Sequence, residues 1–177
     1  MYIVIGLGNP GEEYARTRHN TGRMAEAFIE KKLDGDKKIK FVYLETFMND
    51  SGRGVAKAVK SKKAAEKLVV IHDDLDLPIG TMKLSYNRGS GGHRGVESII
   101  RAIKTTGFIR IRVGITPTTP GGKLKKPKTE DDVKKFILNE FKPSEQEILK
   151  KIFKRAAEAV ETLASDGLEK AMTEANR

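Results

Sequence analysis

The sequence predicts an α/β fold: a single domain over residues 1–177, in which a twisted, mostly parallel (mixed) β-sheet is flanked by helices on both faces. Short apolar runs rich in β-branched residues, at residues 2–7 and 68–71, are typical of strands buried on both faces. Segments with helical periodicity separate these strands, and such alternation is typical of a parallel sheet. The chain length suits one domain, and we find no repeat or linker that would divide it.

The first strand runs into the segment GLGNPG, which matches the G-x-G-x-x-G pattern of dinucleotide-binding proteins. A nucleotide-dependent oxidoreductase is therefore one hypothesis. Two observations argue against it: Pro10 lacks a backbone N–H where the following helix should present one, and Glu12 and Glu13 place negative charge where a pyrophosphate would dock. No second strand ending in an acid follows at the required distance. We interpret the glycines as a tight turn that displays Asn9.

The first helix is predicted to begin at Asn20 or Thr21, either of which can cap it, and to end near Lys32. Its apolar face comprises Met24, Phe28, Ile29 and Leu33. His19 would then lie just before a helix N-terminus, where the helix dipole disfavours the protonated imidazolium. We therefore expect a neutral, basic imidazole there, with a structural or surface histidine as the alternative.

A strand follows, with Ile39, Phe41 and Tyr43 alternating with polar residues. Asn49 comes next, and it could either start the following helix as its cap or contact a ligand. Several lysines surround the end of that helix: Lys57, Lys60, Lys62, Lys63 and Lys67. A run of this kind is usually a solvated face, but it can also hold nucleic-acid phosphates.

Residues 68–95 carry the densest group of candidate site residues. The buried strand at residues 68–71 is followed by His72, Asp73, Asp74 and Asp76. In open α/β sheets, ligands bind at the carboxyl ends of the strands. A second strand at residues 82–86 precedes the segment GSGGH, whose glycines allow backbone N–H groups to approach a ligand. We predict that the acids and His93 face one pocket.

The C-terminal half continues the alternation of helices and strands. A helix after His93 is followed by a strand at residues 109–115, in which Arg110 and Arg112 alternate with apolar residues and predict one exposed face. The lysine-rich loop at residues 116–128 is either a mobile lid or RNA-contacting flap, or merely disordered. A short helix before Pro143 and a longer helix, capped by Ser144 and ended by Gly167, complete the chain.

Composition narrows the classes of function. The 34 basic and 24 acidic residues give a net charge of +10, which favours an anionic partner such as nucleic acid, although lysines that merely solvate the surface are the alternative. Because cysteine is absent, disulfides and thiolate metal sites are excluded. The sequence has no apolar segment of transmembrane length and no signal peptide, so we expect a cytoplasmic protein.

Three segments together resemble the signature blocks of bacterial-type peptidyl-tRNA hydrolases: GLGNPGEEYARTRHNTG, TFMNDSG and HDDLDLPIG…GSGGHRG. They occur in the family's order and at compatible spacing, and the resemblance covers most of the chain. Members of that family hydrolyse the ester that joins a peptide to the 3′ adenosine of tRNA, without a metal or a covalent nucleophile. The resemblance implies a hydrolase of peptidyl-tRNA that acts in translation and ribosome rescue, with no cofactor, no membrane partner and a monomeric state.

The resemblance also assigns roles to particular residues. His19 matches the catalytic histidine, a general base on the attacking water, and Asp73 matches the carboxylate that orients it. Five further positions match substrate-binding residues of the family: Asn9, Tyr14, Met48, Asn49 and His93. The chemistry agrees, because an ester needs a base whose pKa lies near the working pH, and a histidine backed by a carboxylate supplies one. No serine or cysteine lies in a recognisable nucleophile elbow, which favours direct attack by water.

Two features depart from the family's pattern. Arg94 stands where the family has an asparagine after the glycine-loop histidine, and it either binds substrate phosphates or simply joins the basic surface. The segment between the first helix and Thr46 is short for the family, so we expect a smaller sheet edge at residues 34–45. Arg94 also keeps open the alternative that the chain is a non-catalytic RNA-binding protein on the same scaffold.

Overall fold

The computed structural model describes residues 1–177 and contains a five-stranded sheet in the order β2-β1-β3-β5-β4. The strands are β1 (Tyr2–Gly6), β2 (Ile39–Phe41), β3 (Leu68–Pro78), β4 (Met82–Tyr86) and β5 (Ile109–Thr116). The pairs β1–β2, β1–β3 and β3–β5 are parallel, whereas β4 pairs antiparallel with β5. The predicted mostly parallel, mixed sheet is therefore confirmed.

Helices cover both faces of this sheet. They are α1 (Thr21–Lys32), α2 (Ser51–Ala58), α3 (Lys62–Ala65), α4 (Arg94–Ile103), α5 (Glu130–Leu138), α6 (Pro143–Asp166) and α7 (Leu168–Ala175). Successive residues of a strand point to opposite faces, and so Val4 packs with α1 and α6 while Ile5 packs with α2 and α4. None of these helices combines the length and the apolar character that crossing a membrane requires.

Strand β3 is longer than its apolar run predicts. The sequence indicated a short buried strand at residues 68–71 with the acids at its carboxyl end, but β3 continues through them to Pro78. Ile71 pairs with the last residue of β1, and Asp73 is paired with Val113 of β5 beyond that point. Because Asp73 lies within a strand, its position is determined by backbone hydrogen bonds rather than by a flexible loop.

The prediction of an exposed face on β5 is wrong. This strand lies between β3 and β4 and is covered on both sides, so Arg110 is only 1% exposed. Nη1 of Arg110 donates to the carbonyl oxygen of Gly89 at 2.8 Å, and Nε of Arg112 donates to Asp74 at 2.7 Å. The Arg112 guanidinium is tolerated in the interior because it finds oxygen acceptors there. Arg110 has the Gly89 carbonyl as its one acceptor, and its Nε and Nη2 are buried without a hydrogen-bond partner.

Most helix ends agree with prediction, with one correction in the C-terminal half. Helix α6 begins at Pro143 with Lys142 as its N-cap, and the backbone N–H of Lys142 donates to Glu145 at 2.7 Å. The predicted cap, Ser144, lies inside the helix instead. Gly167, with a φ of 93°, ends α6 as expected. Strand β2 has three residues, which agrees with the small sheet edge expected for residues 34–45.

Candidate active site

The candidate site lies at the carboxyl edge of the sheet, where the loop after β1 meets the start of α1. A 3₁₀ turn, Arg18–Asn20, directly precedes α1. The backbone N–H of Asn9 donates to the side chain of Asn20 at 2.9 Å, and Nδ2 of Asn20 donates back to the carbonyl oxygen of Asn9 at 2.9 Å. Asn20 occupies the N-cap position as predicted, but its side chain binds the β1 loop instead of capping the helix.

This arrangement brings His19 against Asp73. Nδ1 of His19 donates to Oδ2 of Asp73 at 2.9 Å, and both side chains are buried, with His19 8% and Asp73 3% exposed. An ionised carboxylate only accepts hydrogen bonds, so the proton of the neutral imidazole lies on Nδ1. Nε2 of His19 consequently carries a lone pair and makes no hydrogen bond within the protein. This is the geometry of a general base with its orienting carboxylate.

A second histidine approaches Asp73 from the opposite side. Nε2 of His93 donates to Oδ1 of Asp73 at 2.8 Å. Nδ1 of His93 accepts hydrogen bonds from the backbone N–H groups of Gly95 and Val96, at 3.2 and 3.3 Å, and so caps helix α4. His93 is thereby locked as the Nε2–H tautomer, which can donate to Asp73. Sequence reasoning placed His93 in the pocket but gave no sign of this hydrogen bond.

The pKa values follow from these contacts. Burial lowers the pKa of His19, but the charge of Asp73 and the hydrogen bond to it raise the pKa above its ordinary value overall. The expectation that the position of His19 would disfavour the imidazolium is therefore wrong. Burial alone would raise the pKa of Asp73, whereas the neighbouring His19 and His93 lower it strongly. Burial and the nearby His93 hold the pKa of His72 well below its usual range, so His72 stays neutral.

Two adjoining cavities open around this cluster, with volumes of about 530 and 160 Å³. The larger is lined by six of the predicted site residues: Asn9, Tyr14, His19, Met48, Asn49 and Arg94. The smaller is lined by the other two, Asp73 and His93, and by His19 and Arg94 again. The structure therefore brings all eight predicted residues to one continuous cleft.

The asparagines of the larger cavity are placed to donate to a ligand. Oδ1 of Asn9 accepts from the backbone N–H of Met48 at 2.8 Å, which leaves the Nδ2 group of Asn9 to donate elsewhere. Asn49 lies in the 3₁₀ turn Met48–Asp50, is exposed and makes no side-chain hydrogen bond. It does not cap α2, because Asp50 takes the cap position.

The larger cavity also has an apolar wall that sequence reasoning missed. Phe47 is 58% exposed and packs edge-on against Tyr14, with ring centroids 6.4 Å apart. Leu138 of α5 lines the same cavity and is 42% exposed. The available signal was Phe47 itself, an aromatic residue in the segment TFMN directly before the predicted site residues Met48 and Asn49. Such a surface suits a peptide side chain or a base.

Arg94 spans the mouth of the cleft. Its guanidinium donates to Glu130 at 2.8 Å and so joins the start of α4 to the start of α5. Both side chains are exposed and line the larger cavity. Arg94 is therefore part of the cleft and within reach of a substrate bound there.

His19, Asp73 and His93 are residue types that bind metal ions, and their potential ligand atoms lie within 4.8 Å of one another. Each carboxylate oxygen of Asp73 already accepts an imidazole N–H, so these side chains satisfy one another. Binding a cation between them would require both N–H protons to leave. The expectation that the protein needs no metal stays a prediction.

Fold and site together define a class: an α/β protein with a buried histidine–carboxylate pair at the carboxyl edge of its sheet, beside a cleft that arginines also line. A family model described as peptidyl-tRNA hydrolase matches residues 3–177. The peptidyl-tRNA hydrolase of Aquifex aeolicus is 37% identical over 193 residues, which cover 99% of this chain and 96% of that protein. The chain therefore belongs to the peptidyl-tRNA hydrolase family.

Other relatives agree with this assignment. The peptidyl-tRNA hydrolase of Carboxydothermus hydrogenoformans is 38% identical over 195 residues, covering 100% of this chain and 99% of that protein. The crystal structure of peptidyl-tRNA hydrolase from Acinetobacter baumannii is similar with a TM-score of 0.83 and 29% identity, covering 99% of this chain and 94% of that one. The resemblance seen in the three sequence blocks is thus confirmed.

Proposed function

We infer that the protein hydrolyses the ester bond between peptide and tRNA in peptidyl-tRNA and releases free tRNA for reuse in translation. The family assignment supports this activity, and nothing in the comparisons supports a non-catalytic RNA-binding protein. The observation that carries the mechanism is the hydrogen bond between buried His19 and Asp73, with Nε2 of His19 free beside the cleft. We propose that His19 is the general base and Asp73 its orienting carboxylate.

In the proposed reaction, Nε2 of His19 takes a proton from a water molecule as that water attacks the ester carbonyl. Asp73 stabilises the imidazolium that forms, and the amide groups of Asn9 and Asn49 position the substrate and donate to the developing oxyanion. The tetrahedral intermediate then collapses. The bond to the ribose oxygen breaks, and the imidazolium returns its proton to that leaving oxygen.

His93 supports this chemistry through Asp73. Its Nε2–H donates to the carboxylate oxygen that His19 leaves free. This hydrogen bond keeps Asp73 ionised and prevents its carboxylate from rotating. We assign Tyr14, Met48 and Arg94 to the walls that hold the acceptor end and the peptide, since they line the cavity next to His19. The net charge of +10 supports contact with the phosphate backbone of tRNA.

The state of the working protein is part of the proposal. We propose that residues 1–177 act as one domain, as a monomer in the cytoplasm, and that no cofactor takes part. All eight proposed site residues come from the same chain and line one cleft, so the site needs no second copy. Size-exclusion chromatography with light-scattering detection should give a mass near 19.6 kDa, whereas twice that mass would contradict the monomer.

The test of the reaction is release of tRNA from an N-blocked aminoacyl-tRNA by wild type and by His19→Ala. We expect kcat/KM to fall about 10²–10⁴-fold in the variant, the usual contribution of a general base. Fluorescence anisotropy should show that the variant still binds tRNA. A fully active His19→Ala protein would remove His19 from its role. If neither protein cleaves while both bind tRNA, the RNA-binding alternative is correct.

A further inference from the structure

Arg18, the residue before His19, has an unusual environment for an arginine. Its side chain is buried, and its guanidinium lies 4.8 Å from the ring centroids of both Phe136 and Phe141. Nη2 donates to the two carboxylate oxygens of Glu145 at 3.2 and 2.9 Å, and Nη1 donates to the carbonyl oxygen of Glu140 at 2.6 Å. Aromatic rings and oxygen acceptors thus replace most of the water that a buried guanidinium loses, and Nε alone has no hydrogen-bond partner.

The backbone beside Arg18 is tied to the same place. The N–H of Arg18 donates to the carbonyl oxygen of Asn139 at 3.0 Å, and Thr17 forms an isolated antiparallel bridge with Glu140. Residues 139–142 form the corner that joins α5 to α6. The turn that carries His19 is therefore anchored to this corner through both its backbone and the Arg18 side chain.

The corner also determines where α5 lies. Helix α5 has no buried residue of its own, so its packing against the rest of the molecule is weak. It nevertheless lines the larger cavity through Glu130, Val133, Lys134, Ile137 and Leu138. Arg18 contacts Phe136 of this helix. Its side chain therefore connects the turn that carries His19 to the helix that forms one wall of the cleft.

We propose that Arg18 is a positioning residue for the hydrolytic reaction: its buried contacts with Phe136, Phe141 and Glu145 hold the turn that directs His19 towards Asp73 and the cleft. The inference rests on the proposed role of His19 as the base. Because His19 is the next residue, a shift of the turn moves the imidazole relative to both Asp73 and the substrate. Proton transfer is sensitive to such displacements.

A pH profile separates positioning from simple stabilisation of the fold. The groups that face His19 are Asp73 from β3 and His93 and Arg94 from the start of α4, while Glu130 and Lys134 of α5 line the same cavity. Asp73 is the group that raises the pKa of His19. If the turn shifts, this hydrogen bond weakens, the pKa falls, and the acid limb of the kcat/KM profile moves to lower pH.

The first variant is Arg18→Lys, which keeps the charge but loses the planar guanidinium that donates at once to the Glu145 carboxylate and the Glu140 carbonyl oxygen. In protein that circular dichroism shows to be folded, we expect kcat to fall about tenfold, with the acid limb moved to lower pH. KM should change less than kcat. Arg18→Met, which removes the charge as well, should be slower than Arg18→Lys.

A second variant and a control keep the inference testable if Arg18 variants unfold. Glu145→Gln leaves Arg18 its two aromatic rings and the Glu140 carbonyl, and it should shift kcat and the acid limb in the same direction by a smaller factor. Lys150→Met breaks the exposed pair with Glu147 on the same helix, 2.7 Å apart, and should match wild type.

Wild-type kcat and an unmoved acid limb in folded Glu145→Gln and Arg18→Lys would overturn the inference, because Arg18 would then only stabilise the fold. Failure of the proposed function has a different signature. It would appear in wild type itself as an absence of cleavage, or as full activity in His19→Ala.

Discussion

At the scale of single residues, the Asp73 carboxylate accepts one imidazole N–H on each oxygen. An asparagine in its place has one accepting oxygen, and its NH₂ group would face the N–H of the other histidine. We expect Asp73→Asn to lower the plateau of kcat/KM by about 10²–10⁴-fold, since the base loses its tautomer and its charge partner.

The same variant should change the pH profile. Asp73 raises the pKa of His19, and the proposed base must be deprotonated to act, so loss of the charge should move the acid limb to lower pH. The measurement is kcat/KM from pH 5 to 9, with Asp34→Asn, an exposed carboxylate that lines neither cavity, as the control. An Asp73→Asn profile that keeps the wild-type acid limb would show that Asp73 does not set the pKa of His19.

The sequence predicted which residues gather at the site but not how they contact one another. His19 and Asp73 are recognisable because each lies in a short motif next to a predicted helix or strand. Their hydrogen bond joins residues 54 apart, and that between His93 and Asp73 joins residues 20 apart. The pKa direction of His19 was mispredicted for the same reason, because a local argument from the helix dipole cannot include Asp73.

Arg94 gives a second prediction at this scale. Its ion pair with Glu130 is exposed, so Arg94→Met should change the free energy of unfolding by less than about 1 kcal/mol. If Arg94 binds substrate, KM should rise about fivefold, which corresponds to roughly 1 kcal/mol, while kcat is retained. Glu130→Gln is the matched control, because it breaks the same ion pair and leaves Arg94 in place. Equal effects of both variants on KM would assign the role to the ion pair instead.

At the scale of elements, α1 contains a carboxyl group that the reaction does not use. Glu26 is fully buried against β1, and neither of its oxygens has a hydrogen-bond partner. Burial raises its pKa to about 8, although the polar backbone N–H of Gly6 nearby and the positive charge of Arg23 both act to lower it. The folded protein therefore holds a proton on Glu26 that the unfolded chain releases above pH 4.5.

This proton makes stability depend on pH in a defined direction. Between pH 4.5 and 8 the folded state binds more protons than the unfolded state, so the free energy of unfolding should fall by roughly 4 kcal/mol as pH rises. Glu26→Gln cannot titrate and should lose that part of the dependence. Urea unfolding at pH 5 and pH 8 measures it, with the exposed Glu66→Gln as control. A Glu26→Gln protein with the wild-type pH dependence would contradict the prediction.

The elements themselves were predicted where their apolar residues repeat and mispredicted where polar residues are buried. The apolar run of β3 ends at Ile71, and nothing local indicates that the ladder with β5 continues through Asp73 and Asp74. The arginines of β5 indicated a solvent face because their acceptors, Gly89 and Asp74, come from other parts of the chain. Burial of a polar group depends on such partners, and sequence periodicity does not report them.

At the scale of the whole molecule, the strand order places the ends of β1 and β3 side by side, and this adjacency creates the site. The alternation of strands and helices predicted a parallel sheet and the edge at which ligands bind. It did not predict which strands are neighbours, because that depends on packing between distant segments. Family resemblance, rather than periodicity, related His19 to Asp73 before the structure did.

At this scale the net charge determines how strongly the molecule attracts the phosphates of tRNA. The charge of +10 gives a long-range attraction, but contacts with individual phosphates give a steeper dependence of KM on salt. Lys57, Lys60 and Lys63 are exposed around the end of α2. If each neutralises one phosphate, replacing all three with glutamine should reduce the slope of log KM against log salt by about 2–3.

The matched control is the triple glutamine variant of Lys150, Lys151 and Lys154, which are exposed on α6. Both variants lower the net charge from +10 to 10 − 3 = +7, so any difference between them reflects position rather than total charge. We expect the triple variant of Lys57, Lys60 and Lys63 to show a smaller slope of log KM against log salt than wild type. Its kcat at saturating substrate should be unchanged, because none of these lysines lines the cleft. An equal loss of slope in both variants would mean that net charge, and not a tRNA contact at α2, governs the interaction.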